Sequence, residues 1–183
     1  MQTTILIRSD EMPGVIDGLA SEIIARHPSG EHLVLLGIQR RGVDIAARLA
    51  AALEARLGRS IPLGSLDINL YRDDWTSPRA RPVIGTSHMP VPLEARDVIL
   101  VDDVLFTGRT VRAALEAILD YGRPCKVELL VLVDRGHREL PIHADYAGRV
   151  VPTSREDQVN VLVRERDGRD EVLLQRGNRG GSA

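Results

Sequence analysis

Residues 98–110 read Val98-Ile99-Leu100-Val101-Asp102-Asp103-Val104-Leu105-Phe106-Thr107-Gly108-Arg109-Thr110. The four leading apolar residues predict a buried strand. Two adjacent carboxylates follow, then a small polar turn, then a helix predicted over 110–121 and ended by Gly122-Arg123-Pro124. Backbone N–H groups at a helix start attract a phosphate, and the hydroxyls of Thr107 and Thr110 can add donors. Gly108 permits close backbone approach. Asp102 and Asp103 stand just before that cradle, where they can accept from sugar hydroxyls. Thr-Gly-x-Thr alone reads better as an ordinary strand–loop–helix with a capping threonine. The full thirteen residues, with paired aspartates at this offset, favour the cradle. The segment is neither a Walker loop nor G-x-G-x-x-G.

Outward from this segment, strands are predicted over 4–8, 33–37, 65–71 and 127–133. Asp10 reads as the N-cap of a helix that has Glu11 and Pro13 in its first turn and stops at His27-Pro28-Ser29-Gly30. A second helix is predicted over 46–57, closed by Gly58. Residues 72–92 are proline-rich and too long for an ordinary connection, as functional lids are. Two further strands, 159–165 and 171–175, flank Asp167-Gly168 as a hairpin, and 176–183 reads as a frayed tail. The alternation of strand and helix predicts an α/β fold, a central mainly parallel sheet flanked by helices. Ligands of such sheets sit beyond the carboxyl ends of the strands, which directs attention to 37–42, 102–110 and 134–141.

Composition narrows the classes. A chain of 183 residues, 43% hydrophobic, fits one domain with a real core. With 24 basic and 26 acidic residues the net charge is -2, so nucleic-acid affinity would need a local patch. Lys126 is the one lysine; every other basic residue is arginine. Any side-chain cation holding phosphate is therefore almost forced to be arginine. A single cysteine, Cys125, excludes an internal disulfide and a cysteine-rich zinc site. His137 and His143 match no common metal-ligand spacing. No apolar run approaches the ~20 residues of a membrane helix, and the start lacks a secretory pattern. A cytoplasmic protein with no membrane partner is expected.

The 98–110 segment resembles the phosphoribosyl-pyrophosphate motif of type I phosphoribosyltransferases. Gly37-Ile38-Gln39-Arg40-Arg41-Gly42, Asp67-Ile68-Asn69-Leu70-Tyr71-Arg72-Asp73-Asp74, Val133-Asp134-Arg135-Gly136-His137-Arg138-Glu139-Leu140-Pro141 and Pro152-Thr153-Ser154 extend the likeness. Together they resemble, in order and over nearly the whole chain, the pyrimidine operon attenuator/uracil phosphoribosyltransferase family. The resemblance implies one domain over 1–183, a lid at about 72–92, and a small hood over about 134–175 built from the C-terminal hairpin and the base loop. It implies a reaction in which uracil and phosphoribosyl pyrophosphate give UMP and pyrophosphate, with magnesium.

On this reading Arg41, Arg72, Asp102 and Asp103 are the catalytic candidates. Arg41 is the first pyrophosphate ligand, with Arg40 a weaker second and Arg72 supplied by the lid. Residues Ile99 through Thr110 hold phosphoribosyl pyrophosphate. Magnesium is held mainly by substrate oxygens and water, with Asp102 and Asp103 orienting ribose through it. Val133, Asp134, Arg135 and Arg138 form the uracil pocket, with Val159 as a wall; the alternative for this charged loop is a rigid structure tied by internal salt bridges. Purine-using relatives carry an acid where Phe106 stands, and a phenyl ring cannot transfer a proton, which argues for uracil. A different class of function also fits the family: an RNA-binding regulator that senses uridine nucleotides on an mRNA leader. Asp17, Gly18, Ser21 and Glu22 on the outer face of the first helix match that role poorly. A phosphoribosyltransferase for another base is a further alternative, and a homo-oligomer is expected.

Overall fold

The computed structural model describes residues 2–72 and 86–177. Its elements in chain order are β1 (Thr3–Ile7), α1 (Met12–Arg26), β2 (Leu33–Ile38), α2 (Arg41–Leu57), β3 (Leu63–Leu66), a 3-10 turn (Asn69–Tyr71), β4 (Asp97–Leu105), α3 (Arg109–Leu119), β5 (Lys126–Asp134), β6 (Tyr146–Val150), β7 (Gln158–Leu162), α4 (Arg164–Asp167) and β8 (Glu171–Gln175).

Five strands form one parallel sheet in the order β3-β2-β4-β5-β6. Side-chain alternation along its near-continuous apolar strands makes two cores. Leu33, Leu35, Ile99 and Val101 face α1 and α2, with Ile16, Leu19, Ile45 and Leu49. Val34, Leu36, Val98 and Leu100 face α3, with Val111, Ala114 and Ile118. The predicted parallel α/β sheet is therefore present, covered on both faces.

Several boundaries differ from the sequence reading. Asp10 does not cap α1: the N-cap is Glu11, whose carboxylate instead accepts the Arg8 N–H at 2.8 Å. Helix α2 begins five residues earlier than predicted, at Arg41. Strand β3 stops at Leu66, because the Asp67 carboxylate accepts the Asn69 N–H at 2.9 Å and turns the chain. Strand β4 runs on to Leu105, since Val104 and Leu105 still pair with Val133 and Asp134 of β5. Strand β6 was not foreseen.

The C-terminal part also differs. Between β7 and β8 lies α4 rather than a two-residue turn. The pair joins β1 in a separate antiparallel sheet, β1-β8-β7, so the hood includes the first strand of the chain. Arg176 and Gly177, read as the start of a frayed tail, are held. The Arg176 N–H donates to Gln2, and Asp157 binds both the Arg176 guanidinium and the Gly177 N–H at 3.0 Å. The Ser154 N–H, then the Gly177 N–H and Arg176, keep the Asp157 carboxyl well below the ordinary range. Most of the predicted lid, 73–85 with Trp75, lies outside the described residues, as does 178–183. Within the described part of the predicted lid, His88 pairs antiparallel with Ser65 of β3.

Candidate active site

The carboxyl ends of β2, β4 and β5 converge, and each delivers one of the segments singled out above. At β2 the turn into α2 is tight. A Cβ on Gly37 would stand 2.4 Å from the Val43 Cα, and one on Gly42 would stand 2.4 Å from the Val101 carbonyl oxygen. Glycine at both positions lets the start of α2 press against β4 immediately before Asp102. The exposed Arg40 is the N-cap of α2, its peptide bond to Gln39 is cis, and Arg41 is the first helical residue.

Arg41 reaches the hood. One Nη2 donates to Asp167 Oδ1 at 3.1 Å. Its Nε is buried and has no hydrogen-bond partner among the described residues. Arg41, Asp103, Val159, Asn160 and Gln175 line a cavity of about 320 Å³ between the core sheet and β7, the edge strand of the hood. Val159 thus faces the same space as Asp103. Asn160 and Gln175 were missed by the sequence reading; strand periodicity alone does not say which sheet edge looks into a site.

Asp102 and Asp103 lie within β4, near its carboxyl end. Asp102 Oδ1 accepts the Asp103 N–H at 2.9 Å, and Asp103 Oδ1 accepts the Val104 N–H at 2.8 Å. Burial, and then the neighbouring Asp103 charge, push the Asp102 carboxyl well above the ordinary carboxylate range, while Arg72 pulls it back. Burial also raises Asp103, against the pull of the Val104 N–H and Arg41. Burial thus penalises the charge of both carboxylates.

Beyond it, Val104 to Val111 and Arg72 surround a cavity of about 180 Å³ at the start of α3. The N-cap of α3 is Gly108 at φ +92°, and no side chain caps the helix. Thr107 Oγ1 makes only a long 3.4 Å contact with the Arg109 N–H. This argues against the capping-threonine reading. Arg109 is paired with Glu139 at 2.8 Å.

The base loop is rigid from within. Asp134, the last residue of β5, accepts the Gly136 N–H at 3.0 Å and pairs with Arg138. Arg138 also donates to the carbonyls of Phe106 at 2.8 Å and Ile142 at 3.0 Å. Arg135 donates to the Ser154 carbonyl at 2.9 Å, and its guanidinium lies 4.0 Å from the Phe106 ring centroid. Val133 is buried in β5. The two arginines placed above in the uracil pocket are directed into the protein itself, which favours the salt-bridged alternative for Arg138. A larger cavity, about 430 Å³, lies between α1, α2 and α4, but its Arg48 is already engaged by Glu165 and Asp170 at 2.6 Å.

Paired carboxylates beside a helix-start cradle, faced by an arginine at the head of α2, suit a substrate with a ribose and several phosphates. A family model described as phosphoribosyl transferase domain matches residues 6–162. A protein named Bifunctional protein PyrR from Desulfosudis oleivorans is 55% identical over 161 residues, covering 87% of this chain and 89% of that one. Its namesake from Syntrophobacter fumaroxidans is 46% identical over 171 residues, covering 93% and 92%. Among solved structures, a hypoxanthine phosphoribosyltransferase of Staphylococcus aureus superposes with TM-score 0.68 at 17% identity, covering 96% of this chain and 93% of that one. One from Trypanosoma cruzi gives TM-score 0.70 at 19% identity, covering 96% and 97%. Those two support the fold. The family model and the close relatives go further: this chain belongs to the type I phosphoribosyltransferases, in the pyrimidine operon attenuator/uracil phosphoribosyltransferase family.

Proposed function

We propose that the chain moves the phosphoribosyl group from phosphoribosyl pyrophosphate to N1 of uracil, giving UMP and pyrophosphate. The observation that carries this reading is the placement of Asp102 and Asp103 between the α3 cradle and Arg41. The C1–oxygen bond to pyrophosphate breaks as the C1–N1 bond forms and the N1 proton leaves uracil for the departing pyrophosphate or water, so positive character grows on the sugar and negative charge on the leaving group. The 5′-phosphate meets the N–H groups at the start of α3. Asp102 and Asp103 face the ribose, and Arg41 faces the pyrophosphate. The two carboxylates fit magnesium of the kind held by one or two carboxylates with substrate oxygens and water, because burial and mutual repulsion penalise their bare charge. A bound divalent cation supplies charge neutralisation there. Base recognition falls to backbone groups of the 134–138 loop and to the Val159 wall, with Arg135 and Arg138 shaping the loop.

Gly108→Val is expected to weaken phosphoribosyl pyrophosphate binding about tenfold in calorimetry with the domain still folded. A β-branched residue at φ +92° costs about 1–3 kcal/mol, and its Cβ would meet Ile142 at 3.3 Å. Unchanged affinity in a folded variant would place the phosphate elsewhere.

The name Bifunctional, carried by the close relatives, favours RNA-binding regulation as a second activity. Its basic groups here are largely engaged. Arg26 stacks 4.5 Å from the Tyr146 ring centroid and lies near Glu128 and Asp145. Arg149 donates to the Leu6 carbonyl, Arg155 pairs with Glu139, and Arg56 pairs with Asp17. RNA affinity should therefore show a shallow salt dependence, at about -0.7 per phosphate contact. Self-association is proposed through α3, where Leu115 and Leu119 are exposed. No helix among the described residues is long and apolar enough to cross a membrane.

One pair of assays tests both activities. Labelled uracil should be converted to UMP in the presence of excess hypoxanthine, because Phe106 offers no acid to a purine. Filter binding of a leader RNA across a salt series should give the shallow slope. Equal use of hypoxanthine would overturn the base assignment. Tight binding with a steep slope would restore a dedicated RNA face.

A further inference from the structure

We propose that Asp167, in the hood, is a positioning residue that holds Arg41 in its working orientation; the inference rests on Arg41 being a pyrophosphate ligand. Three residues of α2 tie it to the hood. Arg41 meets Asp167, Asp44 meets Arg166, and Arg48 meets both Glu165 and Asp170. Residues 41, 44 and 48 fall on one face of the helix, so α4 is braced along about two turns of α2.

Asp167 is itself fixed. Its Oδ2 accepts the Val163 N–H at 2.9 Å, and its own N–H donates to the Val163 carbonyl at 2.7 Å. The Val163 N–H and then Arg41 keep its carboxyl below the ordinary range. A guanidinium is planar, so anchoring Nη2 on a fixed carboxylate also sets where Nε points. That Nε is the buried, unpartnered donor beside the cavity shared with Asp103 and Val159. The remaining donors are thus aimed before substrate arrives, which is the condition under which electrostatic stabilisation costs no reorganisation.

The opposite role is that Asp167 competes with pyrophosphate for Arg41, and the two differ in sign. The experiment compares kcat and KM for Arg41→Ala, Asp167→Ala, the double variant and Glu165→Ala. Asp167→Ala should lower kcat about tenfold, as loss of an orienting carboxylate behind a functional side chain does, with the KM for uracil nearly unchanged. It should have no further effect in the Arg41→Ala background. Glu165→Ala removes only a partner of Arg48 and should keep wild-type kcat. If Asp167→Ala does not fold, Asp167→Asn retains one acceptor for the Val163 N–H and should show the same dependence on Arg41. A rise in kcat or in pyrophosphate affinity would make Asp167 a competitor. Equal losses in both backgrounds, or an equal loss in Glu165→Ala, would make it a part of hood docking only. A crippled Arg41→Ala beside a normal Asp167→Ala would remove this inference alone, whereas a fully active Arg41→Ala would remove the pyrophosphate reading with it.

Discussion

Arg41→Ala is expected to lower kcat on the order of 100-fold while leaving the KM for uracil nearly unchanged. The guanidinium stands at the head of α2, across the cavity from Asp103, and uracil is proposed to lie against the 134–138 loop. Its charge therefore acts on the leaving group, where negative charge grows only as the bond breaks. An interaction made mainly in the transition state affects kcat, not ground-state affinity for the base. The lysine-free surroundings sharpen the expectation, because the 37–42 turn offers no other cation than the exposed Arg40. Steady-state kinetics with saturating phosphoribosyl pyrophosphate check it. Full kcat with a raised KM for uracil would move Arg41 to the base pocket.

Asp102→Asn should separate stability from activity. The folded protein holds the Asp102 proton more tightly than the unfolded chain does, because burial and the Asp103 charge penalise the carboxylate. A group raised in this way lends its full stability below its unfolded pKa and loses it as pH climbs through the folded value. Above the unfolded pKa the raised carboxyl is therefore a burden on the ligand-free fold. The amide keeps an acceptor for the Asp103 N–H and sheds the charge. Ligand-free Asp102→Asn should melt higher than wild type near pH 8, with the gap closing towards pH 4, and its kcat/KM should fall at least tenfold. Thermal melts across that range, without substrate or magnesium, decide the matter. A lower Tm at pH 8 would show that the charge is already well compensated inside the protein.

The parallel sheet and the cradle were legible because their signals are local. Four apolar residues, two acids and a Thr-Gly turn specify strand, site and helix start within thirteen positions. The 134–141 segment was legible as a loop, but the direction of its arginines was not. Only the fold brings the carbonyls of Phe106 and Ile142 within reach of Arg138, and the Phe106 ring under Arg135. Asp167 shows the same limit more sharply. Beside Gly168 it reads as a turn former, and its bond to Arg41 spans 126 residues. Long-range polar pairs leave no periodic trace, so neither the brace between α2 and α4 nor the recruitment of β1 to the hood was visible in the pattern.

That recruitment bears on how the protein is made. Strand β1 leaves the ribosome before every strand of the five-stranded sheet, and β8, its hydrogen-bonded neighbour, leaves after all of them. The five-stranded sheet can close once β6 is available, while β1 waits with both edges open until β8 has emerged, since the chain emerges at about 5–20 residues per second. The roof over the paired carboxylates is thus completed after the sheet that carries them. A nascent chain stalled after β6 would carry Asp102, Asp103 and the cradle on a formed sheet with no hood above them, and its unpaired first strand would be the segment most in need of chaperone cover.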